Sequence, residues 1–527
     1  MSKATGKFVK GALILSVAAL FAKVLSAFFR IPLGSLIGNV GMGYYGYGYP
    51  IYTFLSSIAI VAIPSTISKL VAEKRVLGQY KEAHLIFKHT MRFMIIVGLI
   101  MSGFFIIGSP LLIKAFRWEE QTIYSLWGLS LSPIFVCIMG VYRGYFQGMQ
   151  NMVPTAISQV LENFGRVVVG LGLAYFFMPN VGYAAGGASF GSVVGGVCGA
   201  LVLALLYLKH KKEIHEEMDS QKQATIATPF KSVVKVVLVL AIPISIGAAV
   251  NSVMNFMDSA IVTAVLVKGG MSDLDAANLF GQLTNTSTLV NLPLAFGMAL
   301  VTSVVPAIAE AVARKDHKEM QDKMELGSRF GLLLSLPAAI GLAVLAVPIM
   351  GFLFPESLQG GPILQVAAFS IPFIMLGQAM TGVLQGLGKV WIPVQAIGLA
   401  AVVKAVLNII LVGTPLGILG APLSSIAGYG VFTLYNFIAV KKITGFKLNV
   451  TLVIIKPLIS ALTMGVAAYF TYGLLGKVLD ASSTIQNAVM TLGAVAIGGV
   501  IYMIMILVTG GISKQDLDEL KKKKENK

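Results

Sequence analysis

The chain has 527 residues, of which 56% are hydrophobic and 12% are charged, and its mean hydropathy is +0.83. A composition this apolar excludes an ordinary soluble protein and predicts a polytopic membrane protein. The formal net charge is +17, but the basic residues lie at alternate breaks between apolar runs, a pattern that follows the positive-inside rule and argues against nucleic-acid binding.

The apolar runs predict an all-α fold of about fourteen membrane helices, since one span needs about 20 apolar residues. The first run follows MSKATGKFVK and contains Lys23, so we interpret it as a membrane helix and not as a cleaved signal. The predicted cores, numbered helix 1 to helix 14, are residues 11–29, 46–63, 93–113, 123–141, 153–177, 184–208, 233–267, 277–308, 329–353, 362–387, 391–412, 419–440, 451–475 and 485–509.

The distribution of basic residues predicts the orientation of these helices. Lysine and arginine collect before helix 1, after helices 2, 6, 8 and 12, and in the final KKKKENK. We therefore expect both termini to lie in the cytoplasm and these basic breaks to contact anionic lipid headgroups. The opposite breaks, such as PNVGY at 179, are short and nearly uncharged, and YYGYGYPIY from Tyr44 is typical of an interfacial aromatic belt on the outer side.

The chain repeats itself at an offset of about 240 residues. IPSTISKLVAEKRVLGQYKEA from Ile63 parallels VPAIAEAVARKDHKEMQDKME from Val305, and GYFQGMQNMVP from Gly144 parallels GVLQGLGKVWIP from Gly382. Six helices separate the copies, so the halves have the same orientation and predict two pseudo-symmetric lobes that alternate access to a site between them. The predicted parts are a first lobe of helices 1 to 6 (1–215), a cytoplasmic linker (216–232), a second lobe of helices 7 to 12 (233–445), helices 13 and 14 outside the repeat (446–512) and a basic cytoplasmic tail (513–527).

Cationic residues inside the apolar runs are candidates for substrate binding, because a charge at the bilayer centre costs about 2.5 to 3.5 kcal/mol and usually faces a cavity or a partner. Lys23 and Arg30 lie two turns apart on one face of helix 1, with Ser26 between them. Two cations without a nearby acid suit a phosphate or diphosphate. The alternative is that Arg30, beside Pro32, only marks the outer end of the helix.

Further candidates follow along the chain. Arg143, at the predicted inner end of helix 4, is either a cavity residue or an interfacial arginine that snorkels to the headgroups. On helix 5, Glu162 can pair with Arg166 at i, i+4, either to stabilise the lobe or to contact substrate.

The second half supplies three more candidates. Helix 7 carries Asn255 and Asp258 on one stripe, and an overlay of the halves places Asp258 opposite Arg30. Asp258 can therefore pair with Arg30 across the cavity or bind a coupling ion. Lys404 adds a polar position on helix 11.

Signals for an enzyme are weak. The run GGASFGSVVGGVCGA lacks the GK[ST] of a phosphate loop, and its glycines at every fourth position, from Gly187 to Gly199, predict a small-residue packing face. The five histidines fall in predicted cytoplasmic breaks without metal-ligand spacing, so we expect solvated histidines, no metal site and no cofactor.

Several motifs resemble one transporter family: KVLSAFFRIPLGSLIG, YPIY, IPSTISKLVAE, RGYFQGMQNMVPTAISQVLENFGRVVVGLGLAY and AAGGASFGSVVG. They resemble the polysaccharide-transport branch of the multidrug/oligosaccharidyl-lipid/polysaccharide (MOP) exporter superfamily, the branch of the stage V sporulation proteins and the Gram-positive lipid II flippases. The resemblance implies a bacterial plasma-membrane flippase that moves undecaprenyl-diphosphate-linked sugars, such as lipid II, outward without ATP. It also implies a terminal helix pair that forms a groove for the lipid tail.

For the site, the resemblance implies that Arg30 contacts the diphosphate. The family motif of arginine, glycine three residues later and arginine seven residues later falls on Lys23, Ser26 and Arg30. Lys23 keeps the charge without the planar fork, and Ser26 replaces the glycine. Coupling to membrane potential, H⁺ or Na⁺ and partnership with the cell-wall synthesis machinery are further expectations. The alternatives are a multidrug or cation antiporter, which the excess of Lys and Arg argues against, and a polytopic glycosyltransferase or polymerase, which the short outer breaks argue against.

Overall fold

A computed structural model describes residues 3–221, 229–314 and 316–511. Within these residues helices are the only regular elements, and short π-helical turns at Ile58–Ala62 and Thr451–Ile455 precede α2 and α17. The helices are α1 (Lys3–Ser57), α2 (Ile63–Val76), α3 (Tyr80–Phe116), α4 (Thr122–Leu129), α5 (Ser132–Gly148), α6 (Val153–Phe177), α7 (Val181–Asp219), α8 (Phe230–Ala248), α9 (Val250–Lys268), α10 (Asp273–Ala313), α11 (His317–Val344), α12 (Ala346–Leu353), α13 (Gly361–Ala367), α14 (Ser370–Gly386), α15 (Trp391–Val412), α16 (Gly420–Thr444), α17 (Lys456–Leu475) and α18 (Thr484–Val508).

The predicted all-α membrane fold is confirmed. Twelve helices in the described part of the chain are long and apolar enough to cross a membrane. The predicted cores of helices 5 and 11 match α6 and α15 residue for residue. The count of about fourteen is approximate, because the first candidate span, Val24–Val76, is continuous where the sequence predicts parts of two helices.

Helix α1 continues past Arg30 and Pro32 to a kink at Gly38, where φ is 64°. Glycine adopts this left-handed conformation without the steric cost that a Cβ atom brings. Arg30 therefore lies about two turns before the kink, and the interpretation that it only marks the end of a helix is wrong.

The tyrosine-rich stretch after the kink lies inside the protein, so the prediction of an interfacial aromatic belt is wrong. Tyr47 is fully buried, and its ring stacks on Trp118 at a centroid distance of 5.2 Å and on Phe280 at 4.5 Å. Thr263 Oγ1 donates a hydrogen bond of 3.0 Å to the Tyr47 hydroxyl. Glycines alternate with the tyrosines, and at Gly43 a Cβ would meet the Ala277 backbone, so the neighbouring helix approaches closely enough to cover the rings.

The predicted glycine packing face of α7 is confirmed, and it positions α6. A Cβ at Gly191 would lie 2.6 Å from the Gly170 Cα, and one at Gly195 would clash with the carbonyl oxygen of Glu162. Only glycine lets the two backbones approach this closely in the membrane. The close contact between the α7 and α6 backbones consequently fixes the position of the polar residues of α6.

Helix lengths repeat along the chain in the same way as the sequence. The predicted helix 4 is interrupted between α4 and α5, and the predicted helix 10 is interrupted between α13 and α14. The segments after the two interruptions, α5 and α14, each contain 17 residues. The predicted helix 7 is likewise divided into α8 and α9, whereas the sequence predicts one span.

Contact density divides the chain into two compact units, Met1–Thr284 and Asn285–Lys527. In the second unit, α17 packs on α18 and α11, and Arg329 on α11 donates from Nε to the carbonyl oxygen of Gly511 at 2.9 Å. The predicted lobes and the role of the terminal pair stay predictions. The predicted tail (513–527), residues 222–228 of the predicted linker and the side chain of Lys23 lie outside the described residues.

Candidate functional site

A buried ion-pair network links α5 to α6 in the first unit. Glu162 Oε2 lies 2.9 Å from Arg143 Nη2, and Glu162 Oε1 lies 3.5 Å from Arg166 Nη2. The three side chains are only 6%, 11% and 12% exposed for Arg143, Glu162 and Arg166. The predicted Glu162–Arg166 pair is therefore confirmed, but the shorter ion pair joins Glu162 to Arg143, which the sequence did not suggest.

Arg143 is fixed on several sides. Its Nε donates to Ser158 Oγ at 2.9 Å, and the same hydroxyl donates to the Thr155 carbonyl oxygen at 2.8 Å. Its Nη2 also lies 3.7 Å from the sulfur of Met139. The interpretation of Arg143 as a snorkelling interfacial residue is wrong, because its guanidinium is satisfied inside the protein and not by headgroups.

Arg166 is held more loosely than Arg143. Its Nη1 donates to the Tyr49 hydroxyl at 3.3 Å, and its contact with Glu162 is long at 3.5 Å. Its Nε is buried and has no hydrogen-bond partner among the residues that the structure describes. A buried donor without an acceptor destabilises the folded protein, so this guanidinium is suited to donate a hydrogen bond to a further anionic partner.

Arg30 approaches the same network through the tyrosines of α1. Its guanidinium carbon lies 4.8 Å from the centroid of the Tyr49 ring and 5.8 Å from that of Tyr45, within the range of cation–π attraction. The Tyr45 and Tyr49 rings stack at 5.1 Å. Tyr49 therefore contacts two arginines from different helices, Arg30 with its ring and Arg166 with its hydroxyl.

Ser26 joins α1 to α6 one turn before Arg30. Its hydroxyl donates to Asn163 Oδ1 at 3.3 Å, and Asn163 Nδ2 donates to the Gln159 carbonyl oxygen at 2.8 Å. Serine at this position thus makes a polar contact that the glycine of the family motif has no side chain to make. The role of Lys23 stays a prediction, since its side chain lies outside the described part.

The network is rich in arginine. Three guanidinium groups, those of Arg30, Arg143 and Arg166, gather here with the carboxylate of Glu162, and Arg30 makes further contacts within the protein. Charges inside a protein are stable only when they are paired or hydrogen-bonded. An anionic ligand with several acceptor oxygens is the chemical complement of such a cluster of guanidinium groups.

The remaining predicted residues lie elsewhere. Asp258 is buried and Asn255 is half-buried on α9 of the first unit, and Asp258 is not an isolated charge. Lys404 belongs to the second unit, where it is 1% exposed on α15. One turn along α15, Asn408 accepts a hydrogen bond from the Ser424 hydroxyl. Substrate contacts by Asn255, Asp258 and Lys404 stay predictions.

Three residues of the network were missed by the sequence analysis: Tyr49, Ser158 and Asn163. The missed signal for Tyr49 was its spacing, because Tyr45, Tyr49 and Tyr52 recur every three to four residues and so share one face of α1. The expectation of solvated histidines is also wrong for His84, which is buried with Nδ1 3.3 Å from the Tyr145 hydroxyl.

Comparisons with known proteins agree with the motifs. A family model described as polysaccharide biosynthesis protein matches residues 8–312, and a model described as MatE matches residues 243–410. Stage V sporulation protein B of Bacillus subtilis is 28% identical, with 98% of each chain covered. Lipid II flippase MurJ of Bacillus subtilis is 25% identical, with 95% of each chain covered. A solved structure of lipid II flippase MurJ in an inward closed conformation covers 95% of this chain and 98% of its own, with a TM-score of 0.65 and 16% identity, which shows a shared fold.

Proposed function

Because this chain belongs to the polysaccharide biosynthesis protein family, we propose that it flips a diphosphate-linked lipid saccharide from the inner to the outer leaflet. It is a multi-pass bacterial membrane protein of the MOP superfamily and a transporter, not an enzyme. The proposed substrate is lipid II or a related undecaprenyl-diphosphate-linked oligosaccharide.

One observation supports this substrate class above the others. The Arg30–Tyr49–Arg166–Glu162–Arg143 network brings three guanidinium groups together among apolar helices, and the diphosphate is the invariant anionic part of such lipids. Guanidinium groups bind phosphate oxygens through paired N–H donors, which lysine does not provide. We propose Arg30 and Arg166 as the diphosphate contacts and Arg143 as their structural support.

We propose that the substrate crosses the membrane by alternating access to this site. The substrate head group enters from the side of the cationic breaks, which we propose is the cytoplasm together with both termini. Alternating access then exposes the same site to the outer side, and the membrane potential, H⁺ or Na⁺ supplies the driving force. The cationic breaks contact anionic lipid, and cell-wall enzymes receive the product on the outer side.

A second candidate is a multidrug or cation antiporter, which the MatE match over residues 243–410 favours. An antiporter for cationic drugs needs acidic cavity residues, because an excess of arginine repels a cation. The charge of the network therefore argues for an anionic substrate.

The test measures flipping by the purified protein in liposomes. Fluorescently labelled lipid II is placed in both leaflets, and an impermeant reductant bleaches the label that reaches the outer leaflet. We expect Arg30→Ala to reduce the rate roughly 10- to 100-fold, the loss expected for one charge-assisted hydrogen bond. Arg30→Lys should keep part of the activity because the charge survives.

The matched control is Lys212→Ala, which removes an exposed cation far from the network. It should flip lipid II at the rate of the unmodified protein. Stable Arg30→Ala protein with full activity would contradict the proposed diphosphate contact. Transport of cationic dyes without any flipping of lipid II would favour the antiporter.

A further inference from the structure

We infer that Tyr49 positions Arg30 and Arg166 as a pair and thereby makes the site prefer a diphosphate over a monophosphate. The inference deepens the proposed function and rests on it. Tyr49 contacts the two arginines through different parts of one side chain: its ring faces Arg30 at 4.8 Å, and its hydroxyl accepts from Arg166 at 3.3 Å.

Exposure distinguishes Tyr49 from the other tyrosines of this stretch. Tyr44, Tyr45, Tyr47 and Tyr52 are buried, whereas Tyr49 is half-buried. The ring is supported on the buried side by Tyr45, at 5.1 Å, and by Tyr52, at 5.7 Å. It is thus a fixed platform with one accessible part, as a residue that shapes a binding site must be.

The contacts of Tyr49 stabilise the positions of two like-charged side chains, Arg30 and Arg166. Two guanidinium groups repel each other, and each is attracted to the carboxylate of Glu162. The Tyr49 hydroxyl gives Arg166 a second acceptor besides Glu162, and the ring face gives Arg30 a neutral surface on which its charge is stabilised. Without the Tyr49 hydroxyl, Arg166 would move toward Glu162, and without the Tyr49 ring, Arg30 would lose the surface on which its guanidinium lies.

The strengths of the contacts point to Arg166 as the arginine that changes partner. Arg143 is held by two contacts of 2.9 Å, whereas Arg166 has contacts of 3.3 Å and 3.5 Å and an unsatisfied Nε. A diphosphate has two phosphoryl groups, so one can contact Arg30 while the other contacts Arg166. A monophosphate has one phosphoryl group, and Arg30 alone is sufficient to bind it.

The test compares two soluble lipid probes, farnesyl diphosphate and farnesyl monophosphate, on the full-length protein in nanodiscs. Tyr49→Phe keeps the ring beneath Arg30 and removes the acceptor of Arg166. We expect it to weaken diphosphate binding roughly 3- to 10-fold, the value of one ordinary hydrogen bond, and to change monophosphate binding less than about twofold. Tyr49→Leu removes both contacts and should weaken the binding of both probes.

The matched control is Tyr52→Phe, which removes a hydroxyl from the same stretch of α1 where it accepts a hydrogen bond from Ser132 at 2.8 Å. It should leave the ratio of the two affinities unchanged. In Tyr49→Phe, a merely structural role of Tyr49 would lower both affinities by the same factor, and this unchanged ratio would overturn the inference. Should the unmodified protein bind neither probe, the proposed function is overturned, and that outcome is separate from a failure of Tyr49. If Tyr49→Leu does not fold, Tyr49→Phe alone decides whether Tyr49 sets the preference for a diphosphate.

Discussion

The contribution of the Arg143–Glu162 ion pair to stability can be tested quantitatively, because both side chains are buried and the distance between their charged atoms is short. The two side chains are 6% and 11% exposed, and the N–O distance is 2.9 Å. Removing one partner of such a pair typically costs about 3 to 5 kcal/mol, since the other charge remains buried and uncompensated. For Glu162→Gln we expect a cost near the upper limit, because both Arg143 and Arg166 lose their carboxylate.

Arg143→Gln should cost less than Glu162→Gln. Glu162 retains Arg166 at 3.5 Å, and a glutamine at position 143 can still donate to neighbouring oxygens. In the double variant Arg143→Gln with Glu162→Gln, no charge of the pair is left buried and the two amides can hydrogen-bond. We therefore expect the double variant to be about 2 to 3 kcal/mol more stable than the sum of the single effects predicts.

The assay is equilibrium unfolding in mixed micelles of a mild detergent and SDS, with helix content followed by far-ultraviolet circular dichroism. The four proteins are compared under identical conditions by their free energies of unfolding, each obtained from its transition midpoint and one shared denaturant slope. A matched exposed pair, Arg314 with Glu310 at 63% and 59% side-chain exposure, serves as the control and should show almost no coupling. Single effects that add to within about 0.5 kcal/mol at Arg143 and Glu162 would refute the reasoning.

Two further predictions concern topology and packing. In a background without Cys137 and Cys198, a cysteine at Asn180 should react with an impermeant thiol reagent added to cells, and one at Lys212 should react only after lysis; reversed labelling would invert the proposed orientation. Gly195→Val should lower the free energy of unfolding by about 1 to 3 kcal/mol, because the valine side chain would clash with the α6 backbone. Gly172→Val, on the open side of α6, should be tolerated. Thermal unfolding in detergent measures both effects. Equal effects of the two glycine substitutions would contradict the close α6–α7 contact.

The membrane helices were predictable where the sequence marks their ends locally. Both α6 and α15 have proline in the first turn, at Pro154 and Pro393, where the missing N–H is not needed. The interruption between α4 and α5 was not predicted, because it falls at Ser130 and Leu131 within a continuous apolar run. Hydropathy averaged over a span-length window reports that a segment is apolar, not that its hydrogen-bonding is continuous.

Within the site, the contact that depends on position along one helix was predictable from the sequence, whereas the contact that depends on how two helices are rotated was not. Glu162 and Arg166 are one turn apart on α6, so helix geometry alone is enough to pair them. Arg143 and Glu162 belong to different helices, and their contact requires that the face of α5 with Arg143 be turned toward α6.

The misassignment of Tyr49 has the same physical origin. A tyrosine near the end of a membrane helix satisfies its hydroxyl equally well at a headgroup or at a buried polar partner, so residue type and depth do not distinguish the two. The distinction lies in the neighbouring glycines, which allow other helices to cover the rings, and in the arginine of α6 that faces the hydroxyl. Arg30 and Arg166 are 136 positions apart, and Tyr49, from the separate YPIY motif, contacts both. A motif on helix 1 therefore identifies one cation of the proposed site, while packing between α1 and α6 determines which other cations lie near it.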